Sequence, residues 1–243
     1  MIEWRIGCSG YRYPEWKRLF YPEELAEGRW LEYYSRYFNT VELNITYYRS
    51  PRMEVLRSLR ERTPDDFFFT VKAPRRIMRA RRFGEAQRLA GEFSECMQEG
   101  LADKLGAVLF QLSAEHTYDA EQLLRLTEML DPAVRNVIEF RHSSWWNPEV
   151  FGVLERAGIA FAGISHPDLP QAVVNTTDTV YYRLHGIPYR YSSGYSQNAL
   201  EDLTQAIASR PGIRRACIYF NNPAQGHAVT NARQLQEICA YVH

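Results

Sequence analysis

The stretch Ala107-Val108-Leu109-Phe110 is apolar at every position, and so is Ile159-Ala160-Phe161-Ala162. Strands that are apolar on both faces are typical of a parallel sheet that is covered on both sides. The two stretches belong to a series of eight apolar or β-branched runs of strand length. The predicted strands cover residues 2–6, 40–43, 67–71, 106–110, 136–140, 159–164, 179–184 and 215–220.

Segments with apolar residues at helical spacing separate these strands, as a covered parallel sheet requires. One such segment lies over residues 89–101, and the last lies over residues 235–242 and ends at Val242. Asn147 followed by Pro148 predicts a helix start, because asparagine caps the first turn and proline fits its first position. Ser196 predicts a second capped start. Seven of the connections are therefore predicted to be helical.

The connection at residues 166–178 is the exception. It contains two prolines and no helical periodicity, so we predict a loop and a sixth helix that is missing or rudimentary. Eight strands alternating with helices favour an α/β fold with a single (β/α)8 TIM-like barrel domain over residues 1–243. The alternative is a doubly wound open sheet, whose usual glycine-rich dinucleotide and phosphate-binding motifs follow no strand here.

Composition excludes several classes of protein. The 29 basic and 29 acidic residues cancel, which argues against binding nucleic acid or anionic membranes through net charge. No apolar run approaches the ~20 residues that cross a bilayer, and the first residues do not resemble a secretion signal. The four cysteines are far apart, which argues against a disulfide framework or a structural zinc site. We therefore predict a cytoplasmic protein with no membrane partner.

Polar residues follow nearly every predicted strand. In a barrel the carboxyl ends of the strands meet on one face, where loops converge over a rigid core. A set of Glu, Lys, Arg and His there can exchange protons near neutrality and hold an anion. The candidate residues are Glu42, Asn44, Lys72, Gln111, Glu139, Arg141, His142, Arg183, His185, Asn221 and Asn222, with Tyr11 and Trp145 as aromatic walls.

The same strand ends carry the motifs through which this chain resembles a known family. The resemblance is to the YecE-like family, formally a domain of unknown function (number 72). It implies a TIM-type barrel and implies no reaction. The motifs are Gly7-Cys8-Ser9-Gly10-Tyr11, residues 38–48, Phe69-Thr70-Val71-Lys72, Glu139-Phe140-Arg141-His142, Tyr182-Arg183-Leu184-His185-Gly186, Phe220-Asn221-Asn222 and residues 226–232. His166 departs from the pattern of the family.

Four catalytic roles are predicted. Glu139 and His142 are spaced so that a bend between them turns both inward, where a carboxylate beside an imidazole forms a general base; the alternative pairs Glu139 with Arg141 or Arg183. Glu42 is a second carboxylate. Lys72 could form a Schiff base or polarise a carbonyl, or else form a salt bridge with Glu42.

Binding roles fall to the remaining residues. Arg141 and Arg183, together with Lys72, are predicted to hold a carboxylate or phosphate, because the arginine fork matches both groups. The alternative is an ion-pair network of the two arginines with the carboxylates. The residues predicted to orient the substrate or line its site are Asn44, Gln111, His185, Asn221, Asn222, Tyr11 and Trp145.

Two other interpretations of these residues stay open. Glu42, Glu139, His142 and His185 have the residue types of a divalent metal site, although no cofactor is predicted and nearby cations disfavour a metal. The run 72–82 carries six cations and no acid, which could bind a nucleic-acid phosphate backbone. Stacking faces for bases would come from Tyr47, Tyr48, Tyr189, Tyr191 and Tyr195.

The leading prediction is an enzyme that performs acid-base chemistry on a small phosphorylated or carboxylated, including sugar-like, substrate. Its class, whether lyase, isomerase or hydrolase, stays open. One alternative is a metal-dependent phosphodiesterase or nucleic-acid-processing barrel similar to endonuclease IV. A second alternative is a non-catalytic module that binds an anion or a protein through the same face.

Overall fold

The computed structural model describes residues 1–45 and 51–241 of the chain. Eight parallel strands form one sheet in the order β1-β8-β7-β6-β5-β4-β3-β2. Each predicted strand is present, with ends that differ by a few residues at most. The strands are β1 (Glu3–Cys8), β2 (Thr40–Leu43), β3 (Phe68–Lys72), β4 (Leu105–Leu112), β5 (Asn136–Phe140), β6 (Ala160–Ser165), β7 (Thr179–Leu184) and β8 (Arg215–Phe220).

Helices cover the outside of this sheet. Those that begin at Pro148 and Gln197 have the predicted caps: the side chains of Asn147 and Ser196 accept from backbone amides at 3.1 and 3.3 Å. The four-residue helix after β3 was not predicted. The helices are α1 (Trp30–Tyr34), α2 (Met53–Glu61), α3 (Arg75–Met78), α4 (Phe83–Leu101), α5 (Ala120–Glu128), α6 (Pro148–Arg156), α7 (Gln197–Ala208) and α8 (His227–Cys239).

The predicted loop between β6 and β7 is confirmed, because residues 166–178 contain no helix. Thr176 attaches this loop to the start of β6. Its hydroxyl donates to the carbonyl of Ile159 at 2.6 Å and accepts from the amide of Phe161 at 2.9 Å. The predicted helix end at Val242 and the predicted stacking residues Tyr47 and Tyr48 lie outside the described residues.

The sheet is nearly closed, and β1 approaches β2 where the closure occurs. The amide of Gly10 donates to the carbonyl of Glu42 at 2.8 Å. The Tyr34 hydroxyl accepts from the amide of Cys8 at 2.8 Å and donates to the carbonyl of Thr40 at 3.1 Å, so α1 bridges the two strands. The chain therefore forms a TIM-like (β/α)8 barrel, as predicted.

The interior of the barrel changes from apolar to polar toward the carboxyl ends of the strands. Small side chains leave room for Tyr181 and Tyr219, whose rings lie 5.2 Å apart. The Tyr219 hydroxyl contacts the hydroxyls of Thr40 and Thr70, both at 2.7 Å. Because alternate residues of a strand share a face, Arg183 follows Tyr181 into the barrel on β7. A layer of charged residues thus begins directly above the two tyrosines.

Candidate active site

The charged layer centres on Arg183, which is buried between two buried carboxylates. Its guanidinium donates to Glu42 at 2.6 and 2.9 Å and to Glu139 at 2.5 Å. Arg183 is only 1% exposed, and neither carboxylate has any exposed surface. Such burial is tolerated because each charge is paired and hydrogen-bonded. Strands β2, β5 and β7 therefore meet at a single guanidinium.

Further donors complete the bonding of the two carboxylates. Arg141 donates from Nε to Glu139. Glu42 accepts from the hydroxyl of Ser9 and, at 2.5 Å, from that of Tyr181. The predicted ion-pair alternative is thus the arrangement that forms, and we name Glu42, Glu139, Arg141 and Arg183 the ion network.

Glu139 and Arg183 keep their charges near neutral pH. Burial acts to raise the pKa of Glu139, but the charges of Arg141 and Arg183 hold that pKa well below its usual value. Burial opposes the charge on Arg183, yet Glu139 and Glu42 raise its pKa well above the usual range. Glu139 is therefore a fixed anion, suited to orientation and charge stabilisation more than to taking up a proton.

Lys72 stands at the end of β3, within the electrostatic reach of this network. Its burial, together with the charge of Arg183, lowers the pKa of the amine to about 8, although Glu139 and Glu42 partly offset the effect. An amine with this pKa exists in both protonation states near neutrality. Lys72 therefore has the acid-base property that Glu139 lacks.

His185 lies at the mouth of the barrel, two residues beyond Arg183 on the same face. Burial lowers its pKa well below the usual value, and the charges of Arg183 and Arg141 act in the same direction, so the ring is neutral. Its Nε2 lies 3.2 Å from Nη2 of Arg141, and its Nδ1 lies 3.0 Å from the side-chain amide of Asn221. Asn221 and Arg141 therefore fix the orientation of the ring.

Two predicted polar residues border the same space. Asn44 donates to the hydroxyl of Ser9 at 3.0 Å, which connects it to Glu42. Gln111 pairs in register with Glu139 between β4 and β5. Its Oε1 is buried and accepts no hydrogen bond from the described residues. Gln111 therefore presents an acceptor that a ligand could use.

Four predicted residues lie elsewhere. His142 does not join Glu139 as predicted: its Nδ1 contacts the hydroxyl of Ser144 at 2.8 Å, where it caps a single turn over Ser143–Trp145. Strand β5 ends at Phe140, and beyond it Arg141 bonds Glu139 while His142 bonds Ser144, so the predicted pair is not brought together. Trp145 packs under the rim and stacks on Phe140 at 4.4 Å.

Asn222 and Tyr11 have structural contacts as well. The Asn222 amide donates to the carbonyl of Ser193 at 2.9 Å and to Asn231 at 3.3 Å, which ties the loop after β7 to α8. Tyr11 is buried, and its ring lies 6.2 Å from that of Tyr34. Both residues hold the rim of the barrel.

The residues suggested for a metal do not fit one. Glu42 and Glu139 are bonded to Arg183, and His142 lies outside their cluster. Within residues 1–45 and 51–241, no group of three His, Cys, Asp or Glu side chains is arranged to hold a metal ion.

The basic run after β3 divides into two parts. Lys72 points to the mouth of the barrel, while five arginines are exposed on and beside α3. These five line a shallow surface depression together with Glu85, and we name them the arginine patch: Arg75, Arg76, Arg79, Arg81 and Arg82.

Several residues of the site were not predicted. Ser9 and Tyr181 both bind Glu42, and His166 and Arg190 lie beside His185 at the mouth. Tyr181 could have been found, because it precedes Arg183 by two positions and so shares its face. Arg190 lies in a loop, where no periodicity indicates which way a side chain points.

Comparison with known proteins places the chain in a family. The model of the family described as "Protein of unknown function DUF72" matches residues 5–242. The chain belongs to this DUF72 family. The resemblance inferred from its strand-end motifs is thereby confirmed, and with it the barrel.

DUF72 relatives share both sequence and fold with this chain. The UPF0759 protein YecE of Escherichia coli O157:H7 is 31% identical over 183 residues; the match covers 74% of this chain and 62% of YecE. The UPF0759 protein YunF of Bacillus subtilis is 24% identical, with 90% and 89% covered. A DUF72 protein of Thermotoga maritima superposes with a TM-score of 0.86 at 28% identity over 98% and 99% of the two chains.

A more distant DUF72 protein, from Enterococcus faecalis, shows the same fold with a TM-score of 0.84 at 20% identity, covering 99% and 96% of the two chains. The description of the family names no activity. None of the helices within the described ranges has the length and apolarity needed to cross a membrane. Function must therefore be inferred from the site itself.

Proposed function

We propose that this DUF72 protein is an enzyme that performs acid-base chemistry on a small anionic substrate at the mouth of its barrel. The observation that carries the proposal is Lys72, an amine with a pKa of about 8 beside the buried ion network. A general acid or base works best when its pKa lies near the working pH. Ionisable groups with shifted pKa values are found preferentially at functional sites.

Each member of the site has a distinct task in this proposal. Neutral Lys72 takes a proton from the substrate, and protonated Lys72 returns one. Arg141 faces the mouth and attracts the anionic group, since its Nη2 contacts only a neutral imidazole among the hydrogen bonds described for it. Gln111 orients the substrate through its unpaired Oε1.

Arg183 and Glu139 have a different role in this proposal from the predicted ones, which were anion binding for Arg183 and proton transfer for Glu139. Because their pKa values lie far from neutrality, they hold fixed charges that shape the field around Lys72. We assign proton transfer to Lys72 and the maintenance of this field to the ion network. His142 receives no role in the proposal.

The first test measures the titration of Lys72 directly. The chain has three lysines, Lys17, Lys72 and Lys104, so ¹³C-methylated lysine signals are few enough to resolve by NMR. The Lys72→Met variant identifies the signal. We expect a midpoint near pH 8 for Lys72, against about 10.4 for a free lysine side chain. If Lys72 titrates like a free lysine side chain, the proposal is wrong.

The second part of the test is turnover. Pools of phosphorylated and carboxylated metabolites are incubated with the protein, and ¹H NMR follows their consumption. Lys72→Met is expected to lower the rate by about 100-fold or more, as loss of an acid-base group does. Lys17→Met is the matched control. Consumption that is equal in both variants contradicts the assignment, and binding without any turnover favours a non-catalytic module.

The arginine patch supports a second candidate, a surface that binds a nucleic-acid backbone. Five exposed arginines beside one Glu form a strong local positive charge despite the zero net charge of the chain. Tyr189 and Tyr191 are exposed in the loop after β7, whereas the Tyr195 hydroxyl is bonded to Ser165.

Fluorescence anisotropy with short single-stranded DNA and RNA tests this candidate. The variant carries Arg79→Glu and Arg81→Glu, and its control carries Arg210→Glu and Arg214→Glu at the opposite end of the barrel. Binding that weakens with salt and is lost only in the first variant supports the surface. Absence of binding at about 50 mM salt rules it out, because electrostatic affinity rises as salt falls.

A further inference from the structure

The imidazole of His166 has a hydrogen-bond donor at each of its two nitrogens. His166 follows β6 and is 5% exposed. The backbone amide of Asp168 donates to its Nδ1 at 3.1 Å, and Nη1 of Arg190 lies 3.1 Å from its Nε2. Neither a backbone amide nitrogen nor a guanidinium can accept a hydrogen bond. Both donors therefore require an acceptor from the ring.

A single imidazole cannot satisfy them. Burial lowers the pKa of His166, and the charges of Arg141 and Arg190 lower it further, against opposing effects of Asp168 and Glu139. The neutral ring has one acceptor nitrogen. Because the hydrogen of the Asp168 amide is fixed by the backbone whereas the exposed Arg190 side chain can turn, we assign the acceptor to Nδ1 and the proton to Nε2. The Nε2–H group and Arg190 then face each other as two donors. A protonated ring would have no acceptor at all.

A second arginine contacts a histidine ring close by, although its Nε is also bonded to Glu139. Arg141 meets the neutral ring of His185, whose centroid lies 6.1 Å from that of His166. An imidazole that positions an arginine leaves its positive charge intact, whereas a carboxylate would cancel it. The nearby acids do not cancel the charge of Arg190, since Glu42 and Glu139 are already paired with Arg183 and Arg141, and the side chain of Asp168 is 76% exposed.

The loop after β7 is built so that Arg190 reaches the mouth. Its base is fixed by the Tyr191 amide, which donates to the carbonyl of His185 at 2.6 Å, and by the Gly186 amide, which donates to the Tyr195 hydroxyl at 2.8 Å. Tyr191 has a φ of +64°, a conformation that costs energy for a residue with a side chain. This strained turn directly follows Arg190.

We propose that Arg190, the Nε2–H of His166 and Arg141 form a binding site for a dianionic oxyanion, either a phosphate group or a pair of carboxylates. An oxygen that replaces the direct contact between Arg190 and His166 accepts from both donors and removes their conflict. The dianion offsets the excess positive charge of the mouth. The inference rests on the proposed function, and it names the group by which the substrate is held.

Isothermal titration calorimetry with inorganic phosphate and, separately, malonate tests the site in the full chain. Wild type is expected to bind one of the two anions. Arg190→Met should weaken that binding at least about tenfold, the effect of losing a charge-assisted hydrogen bond, and Arg190→Lys should retain part of it. Arg210→Met, an exposed arginine at the opposite end of the barrel, should bind like wild type. Circular dichroism confirms that each variant is folded.

The outcomes separate this site from the proposed function. Phosphate binding identifies a phosphate ester as the substrate class, and malonate binding identifies a dicarboxylate. The site is refuted if wild type binds neither anion, or if Arg190→Met binds as well as Arg210→Met. In those cases a Lys72 titration near pH 8 still supports the acid-base proposal. If the Lys72→Met variant loses turnover but binds phosphate normally, the result supports both the acid-base role of Lys72 and the anion site.

Discussion

At the scale of single residues, Arg183 is the side chain on which the charged layer depends. It links carboxylates from two strands, and one of them, Glu42, lies 141 positions away in sequence. Glu139 also accepts from Arg141, but Glu42 has no second arginine among its described bonds. Removing Arg183 would therefore take away the arginine that pairs with buried Glu42, whose other described side-chain hydrogen bonds come from the hydroxyls of Ser9 and Tyr181.

Arg183→Met should destabilise the protein by about 3–5 kcal/mol, because it leaves buried carboxylate charge uncompensated. Urea unfolding measures the loss, and Arg210→Met should change the free energy of unfolding by less than about 0.5 kcal/mol. Adding Glu42→Gln to Arg183→Met should recover part of the loss, since the unpaired charge is then absent. An Arg183→Met variant as stable as wild type would contradict the role of the network.

Most residues of the site were identified from the sequence, which left open whether Glu139 pairs with His142 or joins an ion-pair network with the arginines. Glu42, Lys72, Arg183 and His185 were predicted because strands ending in polar residues stand out against apolar runs. The pairing of Glu139 was wrong in its preferred form, because the inward or outward direction of a residue past a strand end depends on how the chain bends there. The shift in the Lys72 pKa depends on charges from other strands, which no local pattern reveals.

At the scale of elements, the end of α2 is held by a lysine from another part of the chain. Lys104 precedes β4 and is 5% exposed. Its Nζ donates to the carbonyls of Arg60 and Thr63, both at 2.7 Å. The carbonyls at the end of a helix lack partners within it and carry partial negative charge. Lys104 therefore fastens α2 to the start of β4.

Lys104→Met should lower the free energy of unfolding by about 1.5–3 kcal/mol, the usual value of hydrogen bonds to a charged group. For a protein of this size the melting temperature should fall by about 2–4 °C per kcal/mol, which differential scanning calorimetry resolves. Lys17→Met, at an exposed position, serves as the control. Equal melting temperatures for the two variants would show that the contacts of Lys104 add nothing to stability.

Helices and caps were predicted well because their signals are local. Asn147 and Ser196 act within three residues of their own positions. The short helix α3 was missed because Arg75–Met78 is a single turn and carries too few apolar positions to define a period. The loop that replaces a sixth helix was predicted, but the contact of Thr176 with β6 joins residues 15 positions apart or more and left no local signal.

At the scale of the whole molecule, closure of the barrel depends on the close approach of β1 and β2. A Cβ atom at Gly7 would lie 2.2 Å from the backbone carbonyl oxygen of Thr40 and 2.9 Å from the Tyr34 hydroxyl. Real Cβ atoms do not come so near to a backbone oxygen. A side chain at position 7 would therefore separate the two strands and open the mouth beside Glu42.

Gly7→Ala should destabilise the protein by about 2–3 kcal/mol, because the contact is with backbone and cannot relax by a rotamer change. Gly91→Ala is the matched control: it lies within α4 with open space around the added atom, and it should be neutral or stabilising by up to about 1 kcal/mol. Urea midpoints compare the two. Equal midpoints would mean that β1 and β2 can separate without cost.

The sequence by itself determined the eight strands, the covering helices, the missing sixth helix and the set of polar residues at the strand ends. These follow from periodicity and capping, which act over a few residues. Only the tertiary structure decided that Glu42 and Glu139 meet at Arg183, that His142 turns away and that His166 faces Arg190. Such contacts join distant segments, and their energies depend on burial and on neighbouring charges that exist only after the barrel has closed.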